Sequence, residues 1–159
     1  MNHHTSTGGL SKQNLLLRIV SFSWLKKATI VEIIALLFII LFLYSGISKL
    51  MDYAVFKEQL AESPVLKPFA SMVAWGLPVT EFIVSLLLFL PRLRLKGLYA
   101  SLILMILFTG YIIALFTFST ELPCSCGGVI DMLSWQGHLV FNGVFILLGF
   151  TGVYLGKRL

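Results

Sequence analysis

Two cysteines one residue apart stand in the run Pro123-Cys124-Ser125-Cys126-Gly127-Gly128, and the chain of 159 residues has no others. Such a pair can close a disulfide, and the ring it makes is tight. Strained or exposed disulfides have more oxidising potentials and are the exchangeable ones. Gly127 and Gly128 follow directly; they supply unusual torsions for a turn and leave room for a partner's active site to approach. A bridge across so short a loop removes little chain entropy, which weakens a purely structural role. Three readings are open: thiol exchange, a structural bridge, and a metal site. In the last, Cys124, Cys126 and His138 offer two thiolates and an imidazole to Cu(I) or Zn(II). No fourth ligand is apparent in the sequence, so no metal is expected.

His138 opens the last apolar stretch, beside Trp135 and Gln136. It reads either as a base or hydrogen-bond donor, for a thiolate or a quinone, or as an interfacial histidine among lipid headgroups. Glu81 falls about eight residues into an apolar run, roughly 12 Å below its end by helical rise. A carboxylate there must be neutral, paired or facing a polar cavity. Tyr44, Ser45 and Lys49 occupy a similar depth on the first apolar run. Lys49 either reaches inward to Glu81 or snorkels to the headgroups. A pair that fastens two helices and a group that handles protons are both open. Tyr44, Ser45 and Glu81 are the candidates for contacting a cofactor.

The elements that position these residues follow from composition. Apolar residues make up 58% of the chain and charged residues only 12%, with a mean hydropathy of +0.94. Soluble domains carry about 25% charged residues, so the solvent for most of this chain is lipid. The net charge of +5 is spread in short clusters between apolar runs; that is a topology signal, and nucleic acid is excluded as a partner.

Four runs are apolar enough to cross: 28–48, 73–90 closed by Pro91, 97–118, and 137–155. The first spans about 30 Å as a helix, the thickness of a hydrocarbon core. Backbone groups in lipid pair internally, so the runs are helices. The fold class is an all-α membrane protein, a four-transmembrane-helix bundle with an amphipathic extracytoplasmic connection after helix 1. In that connection Tyr53, Phe56 and Leu60 share one helical face, Ser63-Pro64 ends the pattern, and an extended stretch leads to Pro68. Ser45, Gly46, Ser48 and Gly76 are small enough for close helix packing. The aromatics Phe82, Phe89, Phe108, Phe116, Phe118 and Phe145 read as packing or lipid-facing residues.

Before the first run, residues 1–14 read as a disordered tail and 15–27 as a helix lying in the headgroup layer, with Trp24 at the interface. The organisation is 1–27 tail and interfacial segment, 28–155 membrane domain, 156–159 C-terminus. Lys12, Arg18, Lys26, Lys27, Arg92, Arg94, Lys96, Lys157 and Arg158 fall on one side, and only Lys49, Lys57 and Lys67 on the other. Both termini are therefore expected in the cytoplasm, and the cysteines in the periplasm or an equivalent oxidising space, with the chain in the inner membrane.

The segment Leu43–Met51 (LYSGISKLM), the amphipathic stretch after it, Pro78-Val79-Thr80-Glu81 and the late Cys124-x-Cys126-Gly127 resemble the DoxX-like membrane proteins, and most of all the MauE branch. The likeness covers residues 28–155. It implies a four-helix membrane protein of thiol redox chemistry that works with an extracytoplasmic thioredoxin-like partner, as MauE does in forming the disulfides of methylamine dehydrogenase. In outline the bundle is also similar to DsbB and vitamin K epoxide reductase, which pass electrons from cysteines to a quinone. Those enzymes carry two cysteine pairs and this chain one, so either the pair meets a quinone directly or another protein supplies the second pair. The expectation is a membrane thiol-disulfide redox protein exchanging electrons through Cys124 and Cys126, coupled to quinone. The alternative is a non-catalytic scaffold subunit of a larger membrane complex with a structural Cys-x-Cys. A small-molecule transporter is disfavoured by the lack of an internal repeat or broken helix.

Overall fold

The computed structural model describes residues 8–62, 66–118 and 135–159, with side chains from Lys26 onward apart from those of 115, 116, 118, 135 and 136. Helix α1 runs Gly8–Met51, α2 Tyr53–Glu62, α3 Ala70–Phe89, α4 Arg94–Phe118 and α5 Trp135–Gly156, with a 3-10 turn at Lys67–Phe69 before α3. Among the described residues, four segments are long and apolar enough to cross a membrane: Lys26–Met51, Lys67–Phe89, Arg94–Ala114 and Gly137–Gly156. The protein is an all-α membrane protein with four spans. Helix α1 packs against α3 and α5, and α4 against the same two, so the four spans close a ring in the order α1, α3, α4, α5.

The core lies on the inward stripes of these helices. Phe38 and Phe42 of α1 are fully buried, as are Leu88 of α3 and Leu98 and Met105 of α4. Phe38 stacks on Phe42 at 5.8 Å between ring centroids and meets Phe145 of α5 edge-on at 5.3 Å. Ile33, Leu36, Ile40 and Ile47 on the opposite face of α1 are exposed, as expected of side chains whose neighbours are acyl chains. Buried hydroxyls turn back on their own helix: Ser85 donates to the Glu81 carbonyl at 2.9 Å and Ser101 to the Gly97 carbonyl at 2.8 Å. That satisfies them without water.

Helix α3 stops at Leu90, which adopts φ −81°, ψ 114°, the extended conformation that a following proline imposes. Helix α4 then starts within a few residues and crosses tightly. A Cβ at Gly97 would lie 2.8 Å from the Leu88 backbone nitrogen, so only glycine lets the two helices meet there.

Helix α2 is the amphipathic connection expected from Tyr53, Phe56 and Leu60: Leu60 is buried against Ala70 and Ala74, with Tyr53 and Phe56 packed on the same cluster. Three expectations are corrected. Residues 8–14 are helical rather than disordered, and the helix expected over 15–27 runs on unbroken into the first span, because α1 is continuous from Gly8. No proline interrupts that stretch, and Leu, Lys, Gln and Arg are good helix formers. The stretch up to Pro68 is not extended throughout: it becomes a 3-10 turn with Pro68 in its first positions, where a missing N–H costs nothing. Gly76 makes no packing contact among the described residues, since none lies within 4 Å of a Cβ placed there. The turn at Ser63-Pro64 falls outside the described residues.

Candidate functional site

Inward positions of α1 recur every three or four residues: Val31, Ile34, Ala35, Phe38 and Phe42 are buried. The same stripe continues to Ser45, Gly46 and Lys49, so the helix that builds the core also delivers two polar side chains to one end of it. On α3 the inward stripe is Ala74, Pro78, Glu81, Ser85 and Leu88. The two stripes meet at Glu81, which is 0% exposed.

Lys49 Nζ lies 2.8 Å from Glu81 Oε1, and Ser45 Oγ donates to the same oxygen at 3.0 Å. Lys49 also donates to Ser45 Oγ. Taking two charges out of water costs several kcal/mol per ion, and close geometry with additional hydrogen bonds is what offsets it. Glu81 Oε2 has no hydrogen-bond partner among the described residues. It lies 3.3 Å from where a Cβ at Gly46 would sit, with the Phe82 ring at 3.2 Å. Gly46 is therefore the residue that lets α3 bring a carboxylate this close to α1. Lys49 Nζ is also 5.8 Å from the centroid of Phe56 and 5.7 Å from that of Phe108, a cation–π distance in each case. One ammonium thus ties together α1, α2, α3 and α4.

Beside this pair lies a cavity of about 620 Å³, within the usual range of about 300–1,000 Å³ for small-molecule sites. Its walls are apolar, from residues such as Leu41, Phe42, Met105 and Phe141, and its polar groups are Ser45, Lys49, Thr80, Tyr111, His138 and Asn142. Tyr111 and His138 stand near the two ends of the segment 119–134 that joins α4 to α5 and carries the cysteines. An apolar cavity with a few convergent polar groups can hold a ring-bearing hydrophobic molecule and orient it by hydrogen bonds.

Of the residues singled out by sequence, Ser45, Lys49 and His138 come together on the cavity wall, and Glu81 sits behind the first two. Tyr44 does not join them. It is 47% exposed and absent from the cavity lining, because neighbouring residues on a helix point about 100° apart and Ser45 takes the inward direction. Cys124 and Cys126 lie outside the described residues. Phe82 and Phe108 are packing residues as expected, though each has a particular neighbour, Gly46 and Lys49. Asn142, Thr80 and Tyr111 were not foreseen. For Asn142 a signal existed: it follows His138 by four residues in an otherwise apolar run, which places both on one helical face.

The profile of the family described as methylamine utilisation protein MauE matches residues 27–155. No curated protein and no solved structure matches the chain.

Proposed function

The chain belongs to the MauE family of membrane proteins, and on that premise we propose that it is a thiol-disulfide redox protein whose exchange site is Cys124 and Cys126. The observation that carries this reading is the cavity lined by all five helices, with Tyr111 and His138 on its wall, one on each of the two helices that the cysteine-bearing segment joins. A partner of thioredoxin type attacks the Cys124–Cys126 disulfide with a thiolate. A mixed disulfide forms, the partner's second thiol resolves it, and the partner leaves oxidised while Cys124 and Cys126 are left as two thiols. The dithiol then passes two electrons and two protons to a quinone, which becomes a hydroquinone, and the disulfide is restored. His138 is the titratable side chain on the cavity wall suited to moving one of those protons. The cysteines face the periplasm and both termini the cytoplasm, as the Lys/Arg asymmetry implies.

Trapping tests this. A partner whose second cysteine is replaced by serine cannot resolve the mixed disulfide, so it should accumulate as a reducible adduct with the oxidised wild type in native membranes, and Cys124→Ser or Cys126→Ser, each lacking the disulfide, should abolish that adduct. A membrane-impermeant thiol reagent added outside should label the reduced wild type. If the wild type inserts normally and forms no adduct with that partner, the scaffold reading replaces this one.

A further inference from the structure

Asn142 is a buried polar side chain that neither the ion pair nor the thiol chemistry uses. It is 3% exposed, and its Nδ2 has no hydrogen-bond partner among the described residues. A buried amide donor left unpaired destabilises the fold that holds it, and the hydrocarbon region offers no water to relieve it. Asn142 also lines the cavity of about 620 Å³. The torsion about an asparagine's Cβ–Cγ bond is soft, so a small rotation presents the donor to an acceptor seated there.

The rest of the wall narrows what that acceptor belongs to. Leu41, Phe42 and Met105 give it apolar surfaces on α1 and α4, which suit a substituted ring and a hydrocarbon tail and offer a sugar few partners. An acyl chain alone has no use for a donor. We propose that the cavity is the seat of a quinone ring, and that Asn142 Nδ2 donates a hydrogen bond to one of its carbonyl oxygens. The class of ligand rests on the redox reading above, whereas the seat itself uses no cysteine. Asn142 and His138 stand one helical turn apart on α5 and both line the cavity, so the ring lies against the side chain assigned to proton transfer.

The test compares duroquinone, a tetramethylated benzoquinone, with durene, the same methylated ring without carbonyls, binding to the full chain in maltoside micelles. The wild type should bind duroquinone at least tenfold more tightly than durene. Asn142→Leu, apolar and of similar size, should lower duroquinone affinity about tenfold and leave durene unchanged. The double variant Cys124→Ser/Cys126→Ser should bind as the wild type does. That result separates the two readings: binding without thiol exchange retires the redox proposal and keeps the seat, and exchange without binding does the reverse. Equal affinity for the two rings in the wild type overturns the inference even where Asn142→Leu fails to fold. So does a preference for duroquinone that Asn142→Leu leaves intact. A phospholipid ester carbonyl is the other acceptor a membrane can supply. If the preference seen in maltoside vanishes in phosphatidylcholine nanodiscs, the lipid is the occupant and the quinone assignment falls.

Discussion

The two ends of this bundle each carry an ion pair between helices, and the two pairs differ in nearly everything except chemistry. Lys49–Glu81 is 2.8 Å apart with side chains 13% and 0% exposed; Arg94–Glu32 is 3.2 Å apart with side chains 24% and 60% exposed. The first has Ser45 as a further donor to the same carboxylate oxygen and two aromatic rings around the ammonium. The second has Arg94 shared with the Leu88 carbonyl at 3.4 Å, near the end of α3. Exposed pairs contribute about 0–1 kcal/mol, because water screens them and two long side chains lose entropy. Buried pairs contribute little net stability either, but losing one partner is expensive. So the cavity end is held by a device that fails badly when half of it is removed, and the opposite end by one that is nearly optional.

Breaking the buried pair from the lysine side gives the largest expected effect. Lys49→Ala leaves Glu81, 0% exposed, with no countercharge, and should cost about 3–5 kcal/mol, read as lost thermal or denaturant stability in detergent. Lys49→Met with Glu81→Met removes both charges together and should recover most of that loss; a double variant no better than Lys49→Ala refutes the pairing as the cause. Next comes Gly46→Val, whose added atoms meet the Phe82 ring and Glu81 Oε2. Overpacking of this kind costs roughly 1–3 kcal/mol, and Phe82→Leu in the same chain should relieve part of it.

Glu81→Gln is milder than Lys49→Ala, at roughly 1–2 kcal/mol, because the amide still accepts from Ser45 and the freed lysine can extend toward the headgroups. If Glu81→Gln proves as damaging as Lys49→Ala, the carboxylate does more than fasten α1 to α3, and proton handling becomes its better description. The smallest effect belongs to the other end. Arg94→Ala should cost under about 1 kcal/mol, and high salt should erase the difference from wild type, since exposed charges are screened over about 3 Å at 1 M. Salt that weakens the Lys49–Glu81 coupling equally would remove the distinction between the two ends.

Much of this was legible in the sequence. Hydropathy gives the four spans, since a continuous apolar run of about 20 residues satisfies its own backbone in hydrocarbon as a helix. Tyr53, Phe56 and Leu60 mark α2 by their spacing, and the depths of Lys49 and Glu81 bring them within reach of each other. Other features were not readable. The length of α1 was hidden because charged residues outside the membrane signal an end to the span and not to the helix. Tyr44 and Ser45 are equally suited to a ligand by type, and only the rotation of α1 decides between them. Gly76 and Gly46 look alike on paper, yet one borders the open cavity and the other faces Glu81 and Phe82.

What the sequence by itself determined is therefore the number of crossings, their lengths and the axial level of each polar group, because lipid imposes its thickness and its intolerance of charge on the chain directly. What only the tertiary structure decided is which way each helix turns. In water an apolar stripe against a polar one reveals the buried face. Here both faces of α1 are apolar, Phe38 on the inside and Ile40 on the outside, and lipid attracts either. The rotation is set instead by local fits, such as a carboxylate against Gly46 and a ring edge against Phe38, and these exist only once the helices have met. Asn142 shows the consequence: its level in the membrane could be counted from the sequence, but that it lines a cavity and holds a buried donor unpaired among the described residues could not.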